Sequence, residues 1–137
     1  MDLPTLGRDA LAGVISAIVQ IAYCISFSAL IFQGAIASGF SLGLAALIMG
    51  TVVTGLIVAL TSTLSPADAG PDTPAVAVMS VLAGSIAAAL AAKGASTQAI
   101  ILNVLVGISV STLFTGFLLF GLGALRLGQW LRFIPYP

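Results

Sequence analysis

Histidine is absent from the sequence, and cysteine occurs once, as Cys24. Without histidine, the chain lacks the side chain that most often serves as a general base or as a metal ligand. The single cysteine cannot form an internal disulfide, and no Cys/His cluster has metal-ligand spacing. These absences argue against a hydrolytic enzyme, so we expect no enzymatic activity, no cofactor and no bound metal.

Charged residues are also scarce. The 137 residues include four basic and four acidic side chains, 6% of the total, whereas 60% are hydrophobic. The mean hydropathy is +1.24, and soluble domains are about one quarter charged. Composition therefore predicts an all-α integral membrane protein, with the lipid bilayer as a partner and no role for nucleic acid.

Four apolar segments are long enough to cross a bilayer, which takes about 20 helical residues. A membrane region of 10–124 is predicted to contain transmembrane helices at about 10–32, 39–61, 74–92 and 97–123. Residues 1–9 form a short polar head. Residues 125–137, in which Trp130 lies between two arginines, are typical of an interfacial segment.

The first apolar segment has a second interpretation. The tripeptide at 35–37, Ala-Ile-Ala, resembles a signal-peptide cleavage site. However, the apolar part of a signal peptide is only about 7–15 residues long. The length of segment 10–32 therefore favours a transmembrane helix.

Basic residues predict the orientation. With four spans, Arg8, Arg126 and Arg132 fall on one side of the membrane and Lys93 on the other. Basic residues concentrate on the cytoplasmic side. We therefore expect both termini in the cytoplasm, and we expect the membrane to be the inner membrane of a bacterium.

A Pro- and Gly-rich stretch, residues 65–74, precedes the third apolar segment. Pro74 fits the first turn of a helix, where its missing N–H has no partner to lose, and Thr73 is a good N-cap. The helix that follows is rich in alanine, which suits packing against other helices. At membrane depth, irregular backbone is tolerated where it is buried in protein or lines a wet cavity. Half-helices of this kind are typical of secondary transporters.

Three stretches of the sequence resemble the SulP family of anion transporters. The most specific is RLGQ at 126–129 with RFIPYP at 132–137, which resembles the approach to the family's fifth helix. AGPDTPA at 69–75 is similar to the start of its third helix, and ISFSALIF at 25–32 to the end of its first. The resemblance covers essentially the whole chain.

The resemblance implies a larger architecture. The family has fourteen helices in two inverted repeats of seven, divided into a core and a gate domain, and its members are usually homodimers. The chain then corresponds to the first four helices, half of one core domain. The remaining helices, and any cytoplasmic STAS or nucleotide-binding module, lie beyond residue 137.

The resemblance also implies where the substrate binds. The third-helix share of the family's anion site falls on four residues, Thr73, Pro74, Ala75 and Val76. The first helix departs from the family's Pro-Gln pattern, but Gln20, Tyr23 and Phe27 lie on one helical face with Cys24 and supply polar and aromatic groups there. Sulfate, bicarbonate, chloride and dicarboxylates all stay open as substrates.

The mechanism predicted from this stretch uses the helix end itself. If Thr73 caps the helix, the N–H groups of Ala75, Val76 and Ala77 are free donors, and the aligned peptide dipoles attract an anion. Asp72 has three interpretations: a helix cap, a carboxylate at the aqueous mouth, or a group that takes part in ion coupling.

Each of these residues also has a structural interpretation. Gln20 can hydrogen-bond a neighbouring helix, whereas Tyr23 and Phe27 are commonly packing residues. Asn103 is expected to link helices, and Ser28 is expected to bond to a carbonyl of its own helix.

Small residues add two structural expectations. The spacing of Gly39 and Gly43, and that of Gly50 and Thr54, predicts close helix packing, and Gly94 predicts the end of the third helix.

Two other functions fit the sequence. One is a small, non-transporting membrane scaffold or assembly subunit of four helices, and the other is a small homo-oligomeric transporter. The Pro-rich approach to the third helix favours the SulP-like alternative, because a scaffold gains nothing from unpaired N–H groups at membrane depth.

Overall fold

The computed structural model describes residues 3–63 and 69–125, with side chains from residue 7 onward. These ranges contain α1 (Leu3–Ile31), a short 3-10 helix (Gly34–Gly39), α2 (Phe40–Thr61), α3 (Thr73–Ala91) and α4 (Thr97–Ala124). Each of the four α-helices is long and apolar enough to cross a membrane. At this level the predicted all-α membrane fold with four spans is confirmed. The interfacial segment predicted for 125–137 lies outside the described residues, except for Leu125.

Helix α1 begins earlier than predicted. It starts at Leu3 rather than at residue 10, so the predicted polar head is helical from Leu3 onward. Pro4 is compatible with a first helical turn, and Arg8 and Asp9 lower the hydropathy without opposing the helix. The apolar span within α1 begins at Gly7.

The connection between α1 and α2 is a compact turn. Gly34 has a φ of 58°, a left-handed conformation that glycine adopts at little cost. The 3-10 helix that follows, Gly34–Gly39, fills most of the gap between the first two predicted helices. The Ser28 hydroxyl crosses this turn and donates to the carbonyl of Phe40 at 3.0 Å. The expectation that Ser28 bonds to a carbonyl of its own helix is therefore wrong.

The connection between α3 and α4 has a Schellman motif. The N–H of Ala95 donates to the Leu90 carbonyl at 3.1 Å, and that of Gly94 to the Ala91 carbonyl at 2.9 Å. Gly94 has a φ of 73°, as expected for the glycine of this motif. The Ser96 hydroxyl then caps α4 by accepting from the Ala99 N–H at 3.4 Å. The predicted helix end at Gly94 is confirmed.

Helices α1 and α3 are the inner pair, because α1 packs against both α2 and α3, and α3 packs in turn against α4. The 3-10 helix contacts both α2 and α4 and so joins the two outer helices at one end. The core contains residues from α1, the 3-10 helix, α3 and α4: Phe27, Ile31, Phe32, Ile36, Val76, Ala83, Ile100, Ile101 and Val104.

Glycines allow the closest helix contacts. A Cβ on Gly39 or Gly43 would overlap the ring of Phe32, and one on Gly107 would overlap Ile86. Close packing at Gly39 and Gly43 was predicted and is confirmed, whereas the close packing predicted at Gly50 is wrong, since no described atom outside its own helix lies within 4 Å of a Cβ there.

Most other large apolar side chains are exposed. They lie along all four helices and include Ile18 on α1, Leu56 on α2, Val81 on α3 and Phe117 on α4. In water such surfaces would be unfavourable, whereas in a bilayer they contact lipid or other transmembrane helices without penalty. The exposed surface is therefore that of an integral membrane protein.

Candidate functional site

Extended backbone leads into α3 and contacts the middle of α1. Residues 69–72, which we call the pre-α3 segment, have no helical or strand conformation. A Cβ on Gly70 would collide with the side-chain amide of Gln20, and the Oε1 atom of that amide is buried. The structure therefore brings Gln20 together with the residues just before α3.

The pre-α3 segment lies level with the middles of three helices. Gln20 is near the middle of the span Gly7–Ile31. Gly70 and Pro71 also line a cleft with Thr51 and Ser109, which are near the middles of α2 and α4. If the helices cross the bilayer along their lengths, Gly70 is near the centre of a hydrocarbon core about 30 Å thick. Thr73, the first residue of α3, follows Gly70 by three residues, which span at most about 11 Å. Thr73 is then also within that core.

The N-cap of α3 is Asp72, which has extended φ and ψ values of −96° and 137°. The prediction that Thr73 caps the helix is wrong, because Thr73 is the first helical residue and Pro74 the second. The Asp72 side chain accepts no hydrogen bond from the helix end. Its backbone carbonyl closes the first turn instead, by accepting from the Val76 N–H at 3.0 Å. Asp72 therefore occupies the predicted cap position without a side-chain cap, and its two other interpretations, a carboxylate at the aqueous mouth and a group that takes part in ion coupling, stay predictions.

This one-residue shift changes which backbone donors are available. The Val76 N–H is already bonded, and the Ala77 N–H belongs to the helical ladder that Thr73 begins. The prediction of free donors at Val76 and Ala77 is therefore wrong.

Two N–H groups lie before the first intrahelical bond of α3, those of Thr73 and Ala75, since Pro74 has none. The side chains of these three residues are exposed. The Val76 side chain is 6% exposed and belongs to the core. The helix end therefore presents two N–H donors next to the exposed side chains of Thr73, Pro74 and Ala75. Val76 packs the first turn against the core.

The aromatic residues predicted on α1 form a pair. The rings of Tyr23 and Phe27 are stacked, with centroids 5.7 Å apart and planes within 8°. Phe27 is 7% exposed, whereas Tyr23 is 48% exposed. Phe27 is therefore a core residue that supports the accessible ring of Tyr23.

Cys24 connects α1 to α2. It is 1% exposed, and its Sγ atom lies 3.5 Å from Oγ1 of Thr51. The helical face predicted on α1 therefore divides between two neighbours: Gln20 contacts the pre-α3 segment and Cys24 contacts α2.

A cleft of about 630 Å³ opens beside the pre-α3 segment. It lies between the end of α1, the faces of α2 and α4, and the pre-α3 segment. Its walls are mostly apolar and include four side-chain hydroxyls and two residues of the pre-α3 segment. The lining residues are Ile31, Phe32, Gly43, Ala46, Leu47, Gly50, Thr51, Thr54, Gly70, Pro71, Leu105, Ile108, Ser109, Thr112 and Leu113.

Hydroxyl groups are the polar side chains of this cleft. Thr51, Ser109 and Thr112 each donate to the carbonyl four residues earlier at 2.8 Å. Because these protons are engaged, the hydroxyl oxygens present mainly lone pairs to the cleft. Apart from the Thr54 hydroxyl, the donors for an anion are therefore at the α3 end rather than on the walls of the cleft.

Sequence reasoning missed the cleft hydroxyls. Their signal is the pairing of Thr51 with Thr54 and of Ser109 with Thr112, three residues apart on apolar helices. Asn103 was expected to link helices, but its Nδ2 donates to the Ala99 carbonyl of its own helix at 2.8 Å. In the parts of the chain that the structure describes, no cluster of His, Cys, Asp or Glu could hold a metal ion.

In comparisons with protein-family models, curated proteins and solved structures, nothing matches this chain.

Proposed function

We propose that this chain is part of a secondary transporter of inorganic anions, similar to the SulP family, with the anion at the N-terminus of α3. The observation that carries the proposal is the position of Gly70 beside Gln20, at the middle of α1. If the helices cross the bilayer along their lengths, α3 then begins inside the membrane rather than at its surface. A helix that begins there has a reason to leave N–H groups unpaired, namely to bind a ligand.

The peptide groups at the α3 end are the attraction that we propose for an anion, and they act beside the Asp72 carboxylate at the N-cap. No Lys or Arg occurs between residues 9 and 92. Attraction therefore comes from the peptide dipoles, equivalent to about half a positive charge at the helix end, together with the donors of Thr73 and Ala75. Ala75 is small and exposed, so an anion can approach the backbone. Binding of this strength suits a transporter, which must also release its substrate.

The proposal includes the larger assembly. Further helices, related to these four by an inverted repeat of seven, would complete the anion site. Gln20 contacts the pre-α3 segment, and Gln20 and Tyr23 would form the second wall of the site. The whole transporter would be a homodimer in a bacterial inner membrane, with both ends of this four-helix part in the cytoplasm.

Reconstituted transport tests the proposal. The whole reading frame that contains this chain is expressed, purified and inserted into proteoliposomes. Uptake of labelled sulfate, bicarbonate, chloride and a dicarboxylate is then measured under imposed proton and sodium gradients. We expect saturable uptake of at least one of these anions. Correctly inserted protein that transports none of them would contradict the proposal and favour the scaffold alternative.

A further inference from the structure

The glycine at position 70 is required by space rather than by backbone conformation. Of the described glycines, those with positive φ are Gly34 and Gly94, so Gly70 has a conformation that other residues can adopt. A Cβ at position 70 would nevertheless collide with the Oε1, Nε2 and Cδ atoms of Gln20. Alanine is therefore compatible with the backbone here and incompatible with the neighbouring amide.

The Gln20 amide is held in a constrained position. It lies at the middle of an apolar span, and its Oε1 atom is buried. A polar group at that depth is retained where it has a specific neighbour, because burial without one is costly. The specific neighbour of the Gln20 amide is the backbone of Gly70, where the amide leaves no space for a side chain.

The link from Gly70 to α3 is stiff. Pro71 and Pro74 have fixed φ angles, and Pro71 also restricts Gly70 before it. A displacement of Gly70 therefore moves the first turn of α3 rather than being absorbed between them. Val76, buried in the core, holds the other side of that turn.

We infer that Gln20 is a positioning residue: its amide seats Gly70 and so determines where the Thr73 and Ala75 N–H groups point. This role differs from the direct anion contact expected from the sequence. The consequence of this positioning, the orientation of an anion site, rests on the proposed function. The contact between the two residues can be tested without any transport.

The test is a double-mutant cycle read out at position 75. In a Cys24→Ala background, Ala75→Cys introduces an exposed thiol, and its rate of reaction with N-ethylmaleimide is measured in detergent. Gly70→Ala, Gln20→Ala and the double variant are compared. Gly84→Ala is the control, because no described atom outside its own helix lies within 4 Å of a Cβ there.

We expect Gly70→Ala to change the reaction rate by at least about threefold, a typical effect for directly contacting residues. Gln20→Ala in the same molecule should restore the rate, because the alanine methyl then occupies the space that the amide leaves. The midpoint of thermal unfolding should follow the same pattern. Gly84→Ala should leave the reaction rate unchanged, and it should not lower the midpoint, because alanine has the higher helix propensity. Additive effects of the two substitutions on both values would overturn the inference.

Two further outcomes are decisive. If Gly70→Ala does not accumulate, recovery of the protein by Gln20→Ala supports the inference. If the double variant is lost as well, the single variant Gln20→Ala decides: an unchanged rate at position 75 overturns the inference, and a changed rate supports it. Protection of the position 75 thiol by sulfate separately tests the anion site, so failure of the proposed function is distinguishable from failure of the positioning role.

Discussion

At the scale of single residues, glycine serves two different purposes in this chain. Gly34 and Gly94 provide left-handed backbone at the two described turns. Gly39, Gly43 and Gly70 provide space, for the Phe32 ring in the first two cases and for the Gln20 amide in the third. The sequence shows all of these glycines, but which of the two purposes each one serves follows only from the packing.

Substitution at Gly43 tests the space requirement. Gly43→Ala places a methyl group in the Phe32 ring, and overpacking of this kind costs about 1–3 kcal/mol. Gly50→Ala is the matched control on α2, since no described atom outside its own helix is within 4 Å of its Cβ position. There the higher helix propensity of alanine should stabilise by up to about 1 kcal/mol. Thermal unfolding in detergent measures both, and equal shifts for the two variants would contradict the packing.

At the scale of helices, sequence and structure agree best where hydropathy and helix limits coincide. The predicted spans 39–61, 74–92 and 97–123 match α2, α3 and α4 within one residue at each end, because Gly, Pro and Ser residues stop the helix near the ends of the apolar runs. Helix α1 begins closer to the N-terminus than the predicted span 10–32. Arg8 and Asp9 interrupt the apolar run from which the span was predicted, but they do not interrupt the helix.

The site was predictable only in part. Spacing placed Gln20, Tyr23, Cys24 and Phe27 on one face, but that face contacts two different neighbours, and only tertiary packing decides which residue meets which. The observed start of α3 is one residue earlier than the predicted start, because either Asp72 or Thr73 is a suitable N-cap by residue type. The hydroxyl pairs of the cleft come from two helices distant in sequence, so no local pattern could combine them.

Helix caps provide a matched comparison between α3 and α4. Ser96 accepts a hydrogen bond from the Ala99 N–H, so Ser96→Ala should destabilise by about 1 kcal/mol. Asp72 occupies the same position on α3 without such a bond, so Asp72→Ala should change stability by well under that amount. Unfolding midpoints in detergent distinguish the two, and a larger loss for Asp72→Ala would show that its carboxylate does cap α3.

At the scale of the whole molecule, the four helices enclose a small core and leave most apolar side chains exposed. Most of the buried cluster lies near the two turns that join α1 to α2 and α3 to α4, and it extends along α3 to Val76 in the first turn of that helix, whereas the cleft opens between α2 and α4. Such a molecule depends on lipid, or on further helices, to cover its surface. The cleft and the α3 end therefore lie beside exposed apolar helix faces, against which additional helices can pack.

Cysteine labelling tests the orientation of the molecule. In a Cys24→Ala background, Thr97→Cys lies at the α3–α4 turn and Thr63→Cys beyond the end of α2, both at exposed positions. With both termini in the cytoplasm, an impermeant thiol reagent added to intact cells should modify position 97 and not position 63. Labelling in the opposite sense would invert the topology and place Lys93 in the cytoplasm.

Anion binding at the N-terminus of α3, as proposed, is tested most directly by two leucine substitutions in the whole protein. Ala75→Leu places bulk beside the Thr73 and Ala75 N–H groups, while Ala88→Leu makes the same change at an exposed position near the other end of α3. Equilibrium binding of the anion that the uptake assay identifies is measured for both purified variants. We expect Ala75→Leu to raise Kd at least about tenfold, equivalent to about 1.4 kcal/mol, with Ala88→Leu unchanged and both proteins folded. An unchanged Kd for Ala75→Leu would contradict the proposed anion site and leave the start of α3 as a structural turn.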